Sequence, residues 1–188
     1  MFNWQPHKII ERVFEESEAR DRVRSEIFEH NDWIELDRGT LTLDHAIVRG
    51  AARTGLPNAD IERLFGEVPR SLTPIHETIE LIRSLINTDN NFYVLSNMHV
   101  ASFAYLEKEH DIWSMFDGIV ISSQIKKVKP EIEIYEYLLT EHKLEAGETV
   151  FIDDMSENLA AASSIGIQTV KFVSPSQCKQ DLTELKYI

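Results

Sequence analysis

From about residue 72 onward the chain alternates short apolar runs with amphipathic stretches of helical length, and this rhythm constrains the fold more than any other feature. Runs at 92–95, 118–121, 150–152 and 169–172 have strand length, while 100–109, 131–141 and 157–165 carry helical spacing. Strands separated by helices connect by crossovers, so the strands lie parallel and the helices cover both faces. The expected core is therefore a doubly wound, Rossmann-like α/β unit over residues 72–188. Chemistry in such sheets collects at the carboxyl ends of the strands. Three polar groups stand there: Ser96-Asn97 after the first run, Lys129-Pro130 in the loop after the second, and Asp153-Asp154 after the third. They are expected to face one crevice.

The chain ahead of this core has a different rhythm. Ile9, Ile10, Val13 and Phe14 make one helical face, Val23, Ile27 and Phe28 a second, and Leu43, Ile47, Val48 and Ala51 a third, with breaks at Gly39, Gly55 and Pro57. Residues 1–71 thus read as a small helical unit. Thr73-Pro74 then carries the signals of a helix start, a Thr cap followed by Pro in the first turn, and Ile75, Ile79, Ile82 and Ile86 supply a buried stripe. A length of 188 residues suits one sizeable core with such an accessory unit.

The formal charge of −13 argues against nucleic acid as a main partner, since phosphate backbones require a clustered positive surface. The one basic cluster, Lys126, Lys127 and Lys129, leaves room for a small anion held in a local positive pocket. Cys178 is the sole cysteine, which excludes an intrachain disulfide and fits a reducing, cytoplasmic setting. No apolar run approaches the ~20 residues needed to cross a bilayer, and residues 1–8 lack a signal-peptide core. No membrane association is expected.

Asp153-Asp154 follows the apolar run Val150-Phe151-Ile152. Adjacent carboxylates at a buried strand end need compensation, and an oxygen-only donor set suits Mg²⁺. Alternatively, Asp154 simply caps the helix beginning near Ser156. Lys129 before Pro130 is either a surface lysine or an ammonium placed to neutralise a transferring phosphoryl group. Ser96 is either a helix cap or a hydroxyl that, with helix-start N–H groups, holds phosphate oxygens.

Taken in order, these elements are more specific than any one alone. Residues Phe92-Tyr93-Val94-Leu95-Ser96-Asn97, Phe116 to Ser122, Lys129-Pro130 through Ile134-Tyr135, and Phe151-Ile152-Asp153-Asp154 through Asn158 strongly resemble motifs two, three and four of the haloacid dehalogenase superfamily. The likeness is to the subgroup of small sugar-phosphate phosphatases and the N-terminal phosphatase domains of epoxide hydrolases, and it spans roughly residues 73–172. It implies a Mg²⁺-dependent phosphatase acting on a small phosphorylated metabolite through an aspartyl-phosphate. Ser96 would bind phosphate, Asn97 would help orient it, and Lys129 would steady the charge of nucleophile and phosphate. Asp154 would be the most direct metal ligand, with Asp153 supporting the metal or Lys129 and Asn158 holding a metal-bound water. Lys126 and Lys127 depart from the pattern, because relatives often carry Gly nearby. The helical region matches the cap that relatives insert between motifs one and two to select substrate, with Trp33, Asp37 and Arg38 as cap candidates.

Relatives also begin with an apolar central strand ending in a nucleophilic Asp, followed by residues much like Phe2-Asn3-Trp4-Gln5-Pro6. That strand and its Asp are absent from this sequence, and Asp21, Asp32 and Asp37 all lie within the presumed cap. The expectation is a chain inactive as written, with a gap in the sheet. A non-catalytic binding protein of the same fold is the alternative, and haloacid dehalogenase chemistry is a weaker one because it needs no metal site.

Overall fold

The computed structural model describes residues 1–86 and 90–187, so residue 188, the last of the expected core, lies outside the described residues. Five helices open the chain: α1 Pro6–Val13, α2 Ser17–Val23, α3 Asn31–Arg38, α4 Leu43–Thr54 and α5 Asn58–Ser71. A π-helical turn, Arg24–Phe28, extends α2 and turns Ile27 inward. These helices share one apolar cluster drawn wholly from residues 9–68, including Ile9, Val23, Ile27, Leu36, Ile61 and Leu64. The first two expected helical faces are present; on the third, Ala51 is buried and Leu43 and Ile47 are half-buried, but Val48 is exposed, and Ala46, Gly50 and Thr54 are the other buried positions of α4.

The remainder follows as α6 His76–Leu85, β1 Tyr93–Ser96, α7 Val100–Glu109, β2 Gly118–Ile121, α8 Ser122–Ile125, α9 Ile132–His142, β3 Val150–Asp153, α10 Ser156–Ser164, β4 Gln168–Lys171 and α11 Pro175–Glu184. The strands form two parallel pairs, β1 with β2 and β3 with β4. Tyr93 faces Gly118 and Ser96 faces Ile121 across the first pair; Val150 faces Gln168 and Asp153 faces Lys171 across the second. Side chains alternate between the two faces, as the pleat requires. Phe151 packs with Ile134, Tyr135, Leu138, Leu159 and Ala162 of α9 and α10, whereas Val150 and Val170 pack with Leu85, Cys178 and Leu182 of α6 and α11. Helices on both faces of parallel strands make this a doubly wound α/β core.

Among the described residues, no ladder joins β1 to β3. Ile152, in the middle of β3, is 38% exposed, unusual for an isoleucine in a strand of such a core.

One expected helix start is corrected. Helix α6 begins at His76 with Ile75 at its cap position and no side-chain capping bond. Thr73 and Pro74 instead run beside the first residues of the chain. Asn3 N donates to Thr73 O at 2.9 Å, Ile75 N donates to Met1 O at 2.8 Å, and Phe2 bridges Pro74 in antiparallel fashion. The later start moves the buried stripe, so that Thr78, Ile79 and Leu85 are its buried members while Ile75, Ile82 and Ile86 are half-buried. Local capping chemistry lost here to a pairing across about 70 residues.

Gly39 ends α3 with φ of +75°, and a β-carbon there would sit 2.6 Å from the Ser123 carbonyl oxygen. Gly55 ends α4 with φ of +69° and open space around it. Both need the left-handed conformation, but only Gly39 also needs the close approach of backbone. Gly39→Ala should therefore destabilise by about 2–5 kcal/mol and Gly55→Ala by about 1–2 kcal/mol, as chemical unfolding of the two variants would measure.

Candidate functional site

The ends of β1, β2 and β3 deliver their polar groups to one place. Asn97, just past β1, makes a reciprocal pair with the backbone of Lys129: its Nδ2 donates to Lys129 O at 2.9 Å, and Lys129 N donates to its Oδ1 at 2.8 Å. The loop after β1 is thereby tied to the loop after β2, whose Lys129–Pro130 peptide is cis. Lys129 Nζ then donates to Asp153 Oδ2 at 2.7 Å, with both side chains nearly buried, and the ammonium lies 5.4 Å from the centre of the Phe151 ring. Asp153 Oδ1 accepts from Met155 N at 2.8 Å and Asn158 Nδ2 at 3.0 Å. Burial without these partners would be costly for such a charged pair.

Asp154 contrasts with its neighbour. It is exposed, and no donor among the described residues holds its carboxylate. Its charge raises the pKa of the half-buried Met1 amino group, while burial, the larger effect, and the Lys129 charge lower it. Asp154, Lys129 and the Met1 amino group thus share one electrostatic neighbourhood. Neither Asp154 nor Ser96 serves as a helix cap. Met155 occupies the cap position of α10, and His99 caps α7 by accepting from Ser102 N. Ser96 Oγ lies 3.4 Å from the Asn97 carbonyl oxygen.

The donor set permits a test of fit to Mg²⁺. Among the described residues, no three His, Cys, Asp or Glu side chains converge as a metal cluster. Asp153 is engaged by Lys129, Met155 and Asn158, and the Asn158 amide nitrogen points to Asp153. Asp153 was expected to support the metal or Lys129, and here it bonds Lys129; Asn158 was expected to hold a metal-bound water, and here its amide is engaged at the turn into α10. Asp154 remains as a free carboxylate. Since Mg²⁺ takes one or two carboxylates and keeps its waters, the site fits a water-rich ion held through Asp154. Asn97 was expected to orient phosphate, but its side chain is occupied in tying the two loops together.

The three cap candidates are each engaged by neighbours. Trp33 packs against Phe28, Phe65, Trp4 and His99 at ring distances of 4.7–6.0 Å. Asp37 is buried at the junction of helical unit and core. Its pKa is raised to about 7 by burial, opposed by hydrogen bonds from the His99 backbone and the Trp33 side chain. Arg38 grips Glu131 with both guanidinium nitrogens, at 2.5 and 2.8 Å. The partners Glu131 and His99 carry no local sequence signal of these roles. Glu131 stands beside Lys129-Pro130, but its cation lies 93 positions away, and His is not a usual capping residue.

Lys126 explains the departure from Gly noted in the sequence. It takes a left-handed φ of 61°, the conformation glycine favours, and its ammonium donates to the Gly39 carbonyl oxygen.

The family description of haloacid dehalogenase-like hydrolases matches residues 53–172. The chain belongs to that family. It is 29% identical over 167 residues to a sesquiterpene phosphatase of Aspergillus oryzae, covering 89% of this chain and 82% of that one. It is 28% identical to a drimenol cyclase of Aspergillus calidoustus over 81% of this chain, and spans only 30% of that longer protein. In fold, it superimposes on a haloacid dehalogenase family enzyme of Bacteroides thetaiotaomicron with a TM-score of 0.72 at 19% identity, covering 99% of this chain and 93% of that one. The same bacterial enzyme has been crystallised with magnesium and inorganic phosphate, and that form superimposes with a TM-score of 0.70 at 17% identity, over 91% and 88% of the two chains.

Burial at the junction sets a pH dependence with two opposed parts. Asp37 keeps a proton in the folded chain that the unfolded chain releases, so its contribution is full below about pH 4 and is lost as pH rises through about 7. His99, lowered to about 4 by burial, stays neutral where the unfolded chain protonates, so its contribution is present above about pH 6.5 and is lost as pH falls to about 4. Each effect reaches at most about 1.4 kcal/mol per pH unit, and over this shared window they oppose. Asp37→Asn should make stability rise with pH between about 4.5 and 6.5, whereas His99→Gln should make it fall. Urea unfolding at a series of pH values distinguishes the two slopes.

Proposed function

We propose that the crevice at the ends of β1, β2 and β3 is the anion site of a Mg²⁺-dependent phosphatase for a small phosphorylated metabolite, and that residues 1–188 on their own turn over no substrate. The observation that carries the reading is the Lys129–Asp153 pair, next to an Asp154 carboxylate with no donor among the described residues, tied through Asn97 to the loop that begins at Ser96. The likeness to a sesquiterpene phosphatase supports the reaction class. The crystallisation of the bacterial relative with magnesium and inorganic phosphate supports the choice of ion and anion.

In this reading the Ser96 hydroxyl and the Asn97 N–H hold the phosphate oxygens, and Lys129 offsets the negative charge gathering on them. Asp153 keeps the Lys129 ammonium aimed. Mg²⁺, held through Asp154, would supply electrostatic stabilisation of the phosphoryl oxygens. The attacking group would be a carboxylate on a strand between β1 and β3, neither of which has a second strand partner among the described residues. Its oxygen would bond to phosphorus while the ester P–O bond breaks and the alcohol leaves with a proton. Water would then hydrolyse the acyl phosphate and return the carboxylate.

The test is an N-terminal extension of about ten residues, an apolar strand ending in Asp-x-Gly-Asn, made beside the same extension with Asn for the first Asp. The strand would pair backbone on both sides and bury apolar side chains worth roughly 1.5–3 kcal/mol each, so both versions should melt higher than the 188-residue chain. Only the Asp version should hydrolyse a panel of small phosphate esters with Mg²⁺, and Asp154→Ala within it should abolish the gain. Metal-dependent turnover by the unextended chain would contradict the proposal. A stabilised but inactive Asp version would favour a non-catalytic anion-binding role, and an extension that stabilises nothing would remove the central-strand argument.

A further inference from the structure

Three consecutive residues at the end of α3 reach the core, and each contacts a different part of the crevice's framework. The Asp37 carbonyl oxygen accepts from Ser122 Oγ at 2.5 Å, and the same hydroxyl accepts from Met98 N at 2.9 Å, in the loop that follows Ser96-Asn97. Arg38 forks onto Glu131, two residues beyond Lys129. Gly39 accepts from Lys126 on the same loop and allows the close approach to Ser123. The two loops so gripped are joined to each other by the Asn97–Lys129 pair.

This arrangement is costly to build if it only fastens one unit to another. Ser122 is fully buried with its hydroxyl engaged on both sides, and a two-pronged guanidinium–carboxylate pair fixes orientation as well as distance. We propose that Arg38 and Ser122 are positioning residues: through Glu131 and Met98 they transmit the placement of the helical unit to the loops that carry Lys129 and Ser96. The proposal rests on the anion-site reading only for its consequence, that the crevice binds phosphate well when the helical unit is seated.

Arg38 serves this purpose because its charge partner lies in the loop itself. Its guanidinium also touches Glu35 on α3, at 3.2 Å, which holds the fork in plane without competing for Glu131. Ser122 serves because it follows the end of the β2 ladder, where Ile121 lies opposite Ser96, and begins α8, so its hydroxyl lies between helical unit and phosphate loop. Removing either contact should loosen a loop while leaving the two apolar cores intact.

The experiment uses the 188-residue chain with Arg38→Gln, Glu131→Gln, the double variant, the charge swap of Arg38→Glu with Glu131→Arg, and Ser122→Ala. Amide hydrogen exchange is measured by residue, and inorganic phosphate binding with Mg²⁺ by calorimetry. Arg38→Gln and Glu131→Gln should each speed exchange at residues 129, 131 and 132 by roughly tenfold and weaken phosphate by roughly tenfold, with β4 and α11 unchanged. The double variant should be no worse than either single one, and the charge swap should recover both readings, as coupled partners require. Ser122→Ala should show the same loss at residues 97–100. Unchanged exchange in these loops, or faster exchange spread evenly over the chain, would overturn the proposal. If the loops loosen as expected while the parent chain binds no phosphate, the positioning role stands and the anion-site reading falls.

Discussion

The ion pair between Lys129 and Asp153 joins what the strand ladders leave separate, alongside the apolar cluster shared by Val120 and Phe151. Lys129 belongs to the loop after β2, and Asp153 ends β3, so the 2.7 Å contact crosses from one pair of strands to the other. Both groups are nearly buried. Such a pair gains little over apolar packing, but losing one partner leaves a buried charge and costs about 3–5 kcal/mol. Asp153 is further saturated by Met155 N and Asn158, so the pair has little freedom to rearrange. The result is a cation fixed at the carboxyl edge of the sheet, with a free carboxylate one residue further along.

This also accounts for the division of labour between adjacent aspartates. In the alternation of β3, Asp153 faces inward on the side of Phe151, while Asp154 leaves the strand and meets solvent. One carboxylate becomes structure and the other stays available to a cation. Residue type alone did not separate them, because both are short acids after an apolar run; the family resemblance did, with Asp154 nearest the metal and Asp153 behind it or beside Lys129. The buried lysine that divides their roles lies 24 positions earlier.

What was readable in the sequence was whatever local periodicity controls. Strand β2 and helix α7 fall at the expected residues, and β1, β3, β4, α9 and α10 fall within one residue at either end, since apolar alternation and helical spacing are set by near neighbours. The exceptions share a cause. Thr73-Pro74 has the residue types of a helix start, yet pairs with the chain's first residues; Ser96 has the residue type of a cap, yet His99 takes that place. For Trp33, Asp37 and Arg38 the sequence showed chemical capability but not that each side chain or carbonyl is already occupied. Their partners Phe28, His99, Ser122 and Glu131 come from other turns of the chain, most of them distant. Side-chain type indicated capability, and long-range packing decided its use.

The helical unit has an apolar cluster of its own and meets the crevice's loops at the end of α3. These contacts come from the elbow at residues 37–39. The central claim, that the ends of β1, β2 and β3 form one phosphate site, is most directly tested by residue-resolved amide chemical shifts during titration with inorganic phosphate and Mg²⁺. Shifts concentrated at residues 96–99, 129 and 154–158, and lost in Lys129→Ala, are the predicted result. Shifts confined to the flanking Lys126 and Lys127, or unaffected by Lys129→Ala, would contradict it.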